Sequence, residues 1–356
     1  MKNKLKDFLR EDISDIKEYE ILDAEGMIKL DAMENPFDID LEFETESISK
    51  NKVNINRYPD GACKNLTKKL RQDHNLKDNF NILVGNGSDE LIQILCMAFS
   101  KKGNTVLCPQ PTFSMYKSIS NLVGLKFKTV PLENDFSLNI NEMLNNIKQT
   151  NPALIFLAYP NNPTANLWDR NNIKKIIENT NGLVVIDEAY SAFSGDSFLN
   201  DIDKYENLAV MKTFSKVGLA GLRLGYLIAE NSLIKEFNKI RLPFNVNTIS
   251  QKIAELALDN KDYLDEQSLE IISFRESLLD QMMRIEEIEV YNSSTNFILF
   301  KIKKGSADDI FNKLLKDKIL IKNMSNTKSL EDCLRVTVGT EKENNLFIQS
   351  LKNALN

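Results

Sequence analysis

The single histidine of the 356 residues, His74, leaves no pair of imidazoles, and the surface position expected for it argues against a histidine-based catalytic triad. It lies in a polar segment near the end of a short predicted helix, LTKKLRQDH (66–74), where a surface position is expected. The four cysteines, Cys63, Cys96, Cys108 and Cys333, are scattered, with no C-x-x-C spacing and no ligand cluster. They read as reduced and mostly structural. No apolar run approaches the roughly 18 residues that a membrane span needs. The start, MKNKLKDFLREDISDIKEYE, carries too many charges for a signal peptide, so a cytoplasmic location is expected. There is no dense Lys/Arg block with interleaved aromatics, and 45 basic against 51 acidic residues give a net charge of −6. Nucleic acid is therefore not an expected partner. The strand-to-helix turn GNGSDE lacks the G-x-G-x-x-G of a dinucleotide-binding fold, which argues against a dehydrogenase.

What is present is an ordinary globular composition, 42% hydrophobic and 27% charged, on a chain long enough for two domains. From about residue 80 to 230 strand and helix patterns alternate. ILVG, TVLCPQP, KFKTVPL, LIFLAYP, GLVVIDEAY, LAVMKTFS and the segment from Gly225 to Ala229 read as strands. Nearly continuous apolar strands separated by helices of about ten residues predict a mostly parallel α/β sheet covered on both faces. Such sheets bind ligands outside the carboxyl ends of their strands. Asn162, Asp187, Tyr190, Ser215 and Lys216 each close or follow a strand. After Pro243 the pattern changes: 247–286 reads as long and helical, 290–302 as a strand, then helix, strand and final helix. The expected organisation is an N-terminal arm with part of a small domain (1–45), a large domain (46–245) and a small α/β domain (246–356).

The stretch Ala209–Tyr226, AVMKTFSKVGLAGLRLGY, places a lysine at the exit of a buried strand. A lysine there is costly unless paired or chemically used. Ser215 adds a hydroxyl and Arg223 a fork of donors suited to phosphate. The set suits a Schiff-base lysine whose neighbours hold a phosphate; a surface turn with a solvated lysine fits the same stretch. Gly87-Ser88-Asp89 opens a helix, whose free N–H groups and positive dipole end favour an anion, although Ser88 or Asp89 could simply cap it. Asp187 closes a buried strand, where it could pair with a cationic ring nitrogen or serve as a cap. Tyr190 and Asn162 could reach the same ring.

Taken in order, GNGSDE, YPNNPTA, VVIDEAY and TFSKVGLAGLRLG resemble the signature of the fold-type I pyridoxal-phosphate enzymes, aminotransferase classes I and II. Within them, KLDAMENP, NRYPDG, PQPTFSMY, STNFILF and LRVTVGT are similar to the histidinol-phosphate aminotransferases over essentially the whole chain. The resemblance implies a seven-stranded, mostly parallel sheet in the large domain, a smaller C-terminal α/β domain, and a homodimer with sites at the subunit interface. It implies pyridoxal 5'-phosphate bound to Lys216, with Asp187 against the pyridine nitrogen and Tyr190 and Asn162 at the phenolic oxygen. Phe113 would stack on the ring. Ser88, Asp89, Ser215 and Arg223 would surround the phosphate, joined by Tyr58 from the other subunit. Arg335 would bind the substrate carboxylate of glutamate and, in turn, the phosphate of histidinol phosphate. Tyr19, Tyr116, Asn296 and Lys322 are further candidates on the substrate side. The implied reaction moves an amino group between histidinol phosphate and 2-oxoglutarate, in histidine biosynthesis.

Three departures stand out. Ala165 replaces the usual glycine of the NNPT turn, so a left-handed backbone there would be strained. Met33 interrupts an N-E-N-P motif, and Lys322 stands where an arginine is common, keeping charge but losing the bidentate fork. Other readings share many of these residues: a non-catalytic phosphate-binding module, an aromatic aminotransferase, or a decarboxylase of an amino-acid phosphate. The module alone has no use for both Asp187 and Lys216.

Overall fold

The structure, a computed structural model, describes residues 8, 10, 22–38 and 54–356. Tyr19 lies outside the described residues. After the two-residue strand β1 (Ile28–Lys29), seven strands build the larger sheet. They are β2 (Phe80–Gly85), β3 (Thr105–Gln110), β4 (Lys126–Pro131), β5 (Leu154–Ala158), β6 (Leu183–Asp187), β7 (Leu208–Thr213) and β8 (Gly225–Glu230). Their order is β2-β8-β7-β6-β5-β3-β4, with only β8 running antiparallel to its neighbours. Burial explains the order. Every residue of β5 and β6 is buried, as apolar runs in mid-sheet must be, whereas β4 carries exposed Lys126 and Lys128 at an edge. Period-two alternation feeds two cores. Ile155, Leu157, Val184, Ile186 and Val210 face one, and Leu154, Phe156, Val185, Ala209 and Met211 the other. The carboxyl ends of β5, β6 and β7 therefore lie side by side.

A second sheet has the order β12-β13-β10-β9, from β9 (Ile288–Val290), β10 (Phe297–Ile302), β12 (Lys322–Asn323) and β13 (Cys333–Thr337). Ile298, Phe300, Leu334 and Val336 turn to a helical layer with Leu278, Met282, Leu314, Phe347 and Leu351. The opposite face meets the large sheet's C-terminal edge: Phe297 packs edge-on against Tyr190, and Arg335 bonds to Asn162. β1 pairs in parallel with β11 (Ile319–Leu320), which ties the segment around residue 30 to this smaller unit.

Three sequence expectations change. The helical run after 247 is two helices, Thr248–Asp259 and Lys261–Met283, interrupted at Asn260. Ala254, Ala257 and Leu264 pack in the large sheet's core, and Leu278, Leu279 and Met282 in the small one. The packing thus hands over along the Lys261–Met283 helix, because an apolar helical face does not reveal which sheet it will meet. The run 290–302 is a hairpin and not one strand. Ser293 Oγ and Thr295 Oγ1 both donate to Phe297 O (2.6 and 2.9 Å), and such local side-chain bonds compete with a ladder. His74 is not a surface residue. Its side chain is 14% exposed, its Nε2 lies 2.8 Å from Tyr226 Oη, and burial pulls its pKa down to about 4.

Candidate active site

β7 ends at Thr213, and the chain turns tightly through Ser215–Leu219, where Gly218 takes a φ of 110°. Thr213 Oγ1 accepts from Ser215 N (3.1 Å) and holds Ser215 Oγ at 3.0 Å. This turn aims Lys216 inward. Its Nζ donates to Ala32 O (3.1 Å) and lies 5.8 Å from the centre of the Tyr190 ring. Burial, then the Arg335 guanidinium, draws its pKa down to about 8. An amine so placed is a nucleophile and a base near neutral pH.

At the end of β6, Asp187 is 5% exposed. It accepts from Tyr116 Oη (2.6 Å) and Ala189 N (3.1 Å). Desolvation outweighs both bonds and raises its pKa to about 6. A buried carboxylate with neutral donors and a raised pKa suits a cationic partner, which would return it to full ionisation. Three residues on, Tyr190 Oη accepts from Asn162 Nδ2 (3.0 Å), and Asn162 Oδ1 accepts from Arg335 Nη1 (2.6 Å). Arg335 Nη2 donates to Asp31 O (3.0 Å). One polar chain thus runs from the large sheet to the small one.

The anion-binding features lie at the start of the helix Ser88–Ala98. Its N-cap is Gly87, with φ 84° and no side-chain oxygen to occupy the first N–H groups. Arg223, itself left-handed at φ 50°, brings Nη2 to 3.3 Å from Asp89 Oδ2. Asp89 Oδ1 is buried with no hydrogen-bond partner among the described residues. A Cβ on Gly87 would come within 2.9 Å of Arg223 Nη2, so the close approach needs glycine.

Ser88, Asp89, Phe113, Asn162, Asp187, Tyr190, Ser215, Lys216 and Arg223 line one cavity, together with Met33, Ala158, Ala189 and Thr213. Lys322 faces Arg335 directly across the β12–β13 pair, which puts both cations on one face of the small sheet. Neither cation lines that cavity, and three further candidates also lie outside it. Tyr116 is fully buried, stacked on Phe156 at 4.7 Å, and its hydroxyl is taken up by the bond to Asp187. Asn296 is also fully buried, and its Nδ2 holds Met33 O (3.0 Å). Tyr58 does not line the cavity of its own chain; it is 82% exposed and stacks on Phe244 at 4.6 Å. The carbonyls of Asp31 and Ala32 escaped the sequence reading, because backbone acceptors carry no residue-type signal. Size does not single out this cavity either. A larger groove of about 670 Å³ lies beside the Lys64–Asp73 helix and contains none of these residues.

The family described as Aminotransferase class I and II matches residues 25–351, and the chain belongs to it. Within that family, the chain is 43% identical over 353 residues to histidinol-phosphate aminotransferase 2 of Nitrosococcus oceani, covering 99% of this chain and 98% of that one. Its fold superposes with a TM-score of 0.86 on histidinol-phosphate aminotransferase from Sinorhizobium meliloti, solved in complex with pyridoxal-5'-phosphate, at 23% identity over 98% of this chain and 97% of that one. L-threonine-O-3-phosphate decarboxylase from Porphyromonas gingivalis superposes at 0.79, with 24% identity over 92% and 99%. The fold alone is therefore shared by different reactions.

Proposed function

We propose that the protein is a pyridoxal 5'-phosphate-dependent aminotransferase that exchanges an amino group between L-histidinol phosphate and 2-oxoglutarate. The observation that carries this reading is the convergence of Lys216, Asp187, the helix start at Ser88 and Arg223 on one cavity. The donor set fits the cofactor. The free N–H groups of the Ser88 helix, Ser215 and Arg223 would hold its phosphate, Asp187 its ring nitrogen, Tyr190 and Asn162 its phenolic oxygen, and Phe113 its ring face. When bound, the cofactor supplies an electron sink for the bonds to the amino carbon. Lys216 then takes a proton from the substrate carbon and returns it, a role suited to a buried amine of lowered pKa. Asp187 keeps the ring nitrogen cationic, and Tyr116 keeps Asp187 oriented.

Substrate choice rests on Arg335 and Lys322. The guanidinium can clamp either a carboxylate or a phosphate, while the lysine adds a point charge that favours the dianion. The relatives named histidinol-phosphate aminotransferase support this choice. Its test is kcat/KM for histidinol phosphate, histidinol and phenylalanine with 2-oxoglutarate. Histidinol phosphate should exceed histidinol by roughly 10³-fold, since histidinol cannot supply the charge-assisted bonds that its phosphate would make to Arg335 and Lys322. Arg335→Ala should erase most of that ratio and impair glutamate as well, whereas Lys322→Ala should affect the phosphorylated substrate selectively. Comparable values for phenylalanine and histidinol phosphate would reject the substrate while leaving the cofactor assignment standing.

A further inference from the structure

Directly after Asp187 the chain buries a second carboxylate that the reaction as described leaves unused. The side chain of Glu188 is fully buried. Its Oε2 accepts from Lys212 Nζ (2.7 Å) and Ser197 Oγ (2.6 Å), and its Oε1 from Phe198 N. Lys212, 14% exposed, also donates to Ser191 Oγ (2.7 Å). The pair bridges neighbouring parallel strands, because Asp187 is in register with Met211 and Glu188 N donates to Met211 O (2.8 Å). Side chains alternate along a strand, so Lys212 points away from the face that carries Met211 and Tyr116. It opens instead on a groove of about 460 Å³ that also holds His74 and Tyr226. Ala189 and Thr213 line both this groove and the catalytic cavity. The pair therefore stands directly behind the residues that would bind the cofactor.

Stability does not account for it. Taking two charges out of water costs as much as their attraction returns, and apolar residues of similar volume commonly serve as well or better. What apolar residues lack is direction. Four bonds converge on Glu188 and Lys212, and they fasten the turn that carries Tyr190 and Ser191 to the strand that leads into Lys216. We propose that the Glu188–Lys212 ion pair is a positioning device for the transamination: it holds the end of β6, with Asp187 and Tyr190, in fixed register with the end of β7 and Lys216. This rests on the aminotransferase reading of the cavity. A charge effect accompanies the geometry. Burial is the main cause of the raised Asp187 pKa, and the Asp89 and Glu188 charges add to it, so a variant that removes Glu188 takes away one of these repulsions. Further charges and polar groups lining the groove are Asp73, His74, Asp196, Tyr226, Lys261 and Asp265.

The experiment compares the parent holoenzyme with Lys212→Met, Lys212→Arg and the double variant Glu188→Leu/Lys212→Met. It measures kcat and KM for glutamate, the dissociation constant of pyridoxal phosphate, the Tm of the apoprotein, and the pH midpoint of the bound cofactor's visible band. The double variant should keep the parent's Tm to within a few degrees. Its kcat should fall by about tenfold or more at nearly constant KM, with a displaced band midpoint, the pattern of lost transition-state geometry. Lys212→Arg, which can reach both Glu188 and Ser191, should recover kcat to within ~3-fold of the parent. A double variant with parental kcat and band midpoint overturns the proposal, and so does a Lys212→Arg enzyme no better than Lys212→Met. Should Lys212→Met fail to fold through its unpaired Glu188, the double variant and Lys212→Arg still decide. A parent protein that forms no visible band with pyridoxal phosphate overturns the cavity reading itself, and is told apart because the defect is then in the parent.

Discussion

Lys216 shows how far one side chain is shaped by where the fold puts it. Burial disfavours its charged form, and the Arg335 cation disfavours it further, so the proton leaves at about pH 8 and not near 10.5. At pH 7 about 10% of the amine is then free, against well under 1% for a solvated lysine. Capture of pyridoxal phosphate by the apoprotein should accordingly accelerate as pH rises and level off above about pH 8. In Arg335→Ala the midpoint should move upward, because a charge that expels the proton is gone. Stopped-flow absorbance across pH 6–10 measures both; a midpoint near that of free lysine, unaltered by the mutation, would contradict the assignment. Ala165 illustrates the opposite case, a residue that accepts strain. Its φ is 64°, it is fully buried against Met33, Tyr190 and Phe193, and its carbonyl accepts from Ser294 N (2.8 Å). The methyl thus packs a core beside the site while the backbone bears the left-handed turn expected to strain any residue but glycine.

At the scale of elements, most residues that line the cavity come from the C-terminal ends of strands, the turns after them and one helix start. The helix Ser88–Ala98 is held against β8, where a Cβ on Gly225 would meet Ser88 N at 2.8 Å. Gly87 then leaves its N-terminus uncapped and its N–H groups directed to the cavity. Gly87→Ala tests this directly. The methyl would displace Arg223, and a φ of 84° with a ψ of 167°, a region open essentially to glycine alone, would cost roughly 1–3 kcal/mol of stability. Affinity for pyridoxal phosphate should fall by about tenfold or more, since both the donors and the guanidinium of the cradle move. Fluorescence titration of the apoprotein, with Tm recorded alongside, separates lost affinity from lost fold; an unchanged dissociation constant would refute the cradle.

At the scale of the whole molecule, several large apolar side chains are left exposed among the described residues. Ile55, Tyr58 and Leu242 are 80%, 82% and 71% exposed, and Phe244 and Ile249 about half exposed. Apolar and aromatic residues of this size do not stand in water without consequence when they form a contiguous patch. Tyr58, the phosphate ligand that the family resemblance implies, does not line the cavity of its own chain, and a second copy seated on this face would bring it to one. Subunits carrying Tyr58→Ala and subunits carrying Lys216→Ala should each be nearly inactive alone. Mixed, they should recover part of the activity, because one site of the hybrid then has both residues intact. Hybrids that stay inactive after verified exchange, or an active monomer in sedimentation, would exclude the shared site.

How much of this was legible beforehand depends on the range of the interaction concerned. Local patterns settled the parallel sheet, since apolar runs such as LIFLA and LVVID have no other stable place than mid-sheet. They also marked Asp187, Lys216, Ser88 and Arg223, because a polar group at a strand exit or helix start is conspicuous in one dimension. Residues that act through distant partners left no such mark. His74 looked solvated until Tyr226, 152 positions away, was found against it. Tyr116 donates to Asp187, 71 positions away, a contact that no local pattern announces. The role of Asp31 and Ala32 is carried by carbonyls, and that of Glu188 and Lys212 by adjacency of two strands. The sequence by itself determined which segments become strands and helices and which chemical groups end up at their tips, for those are matters of spacing along the chain. Only the tertiary structure decided which groups face one another, which are dry enough to have shifted pKa values, and which cations share a face, because burial and charge coupling arise from neighbours that the chain brings together only on folding.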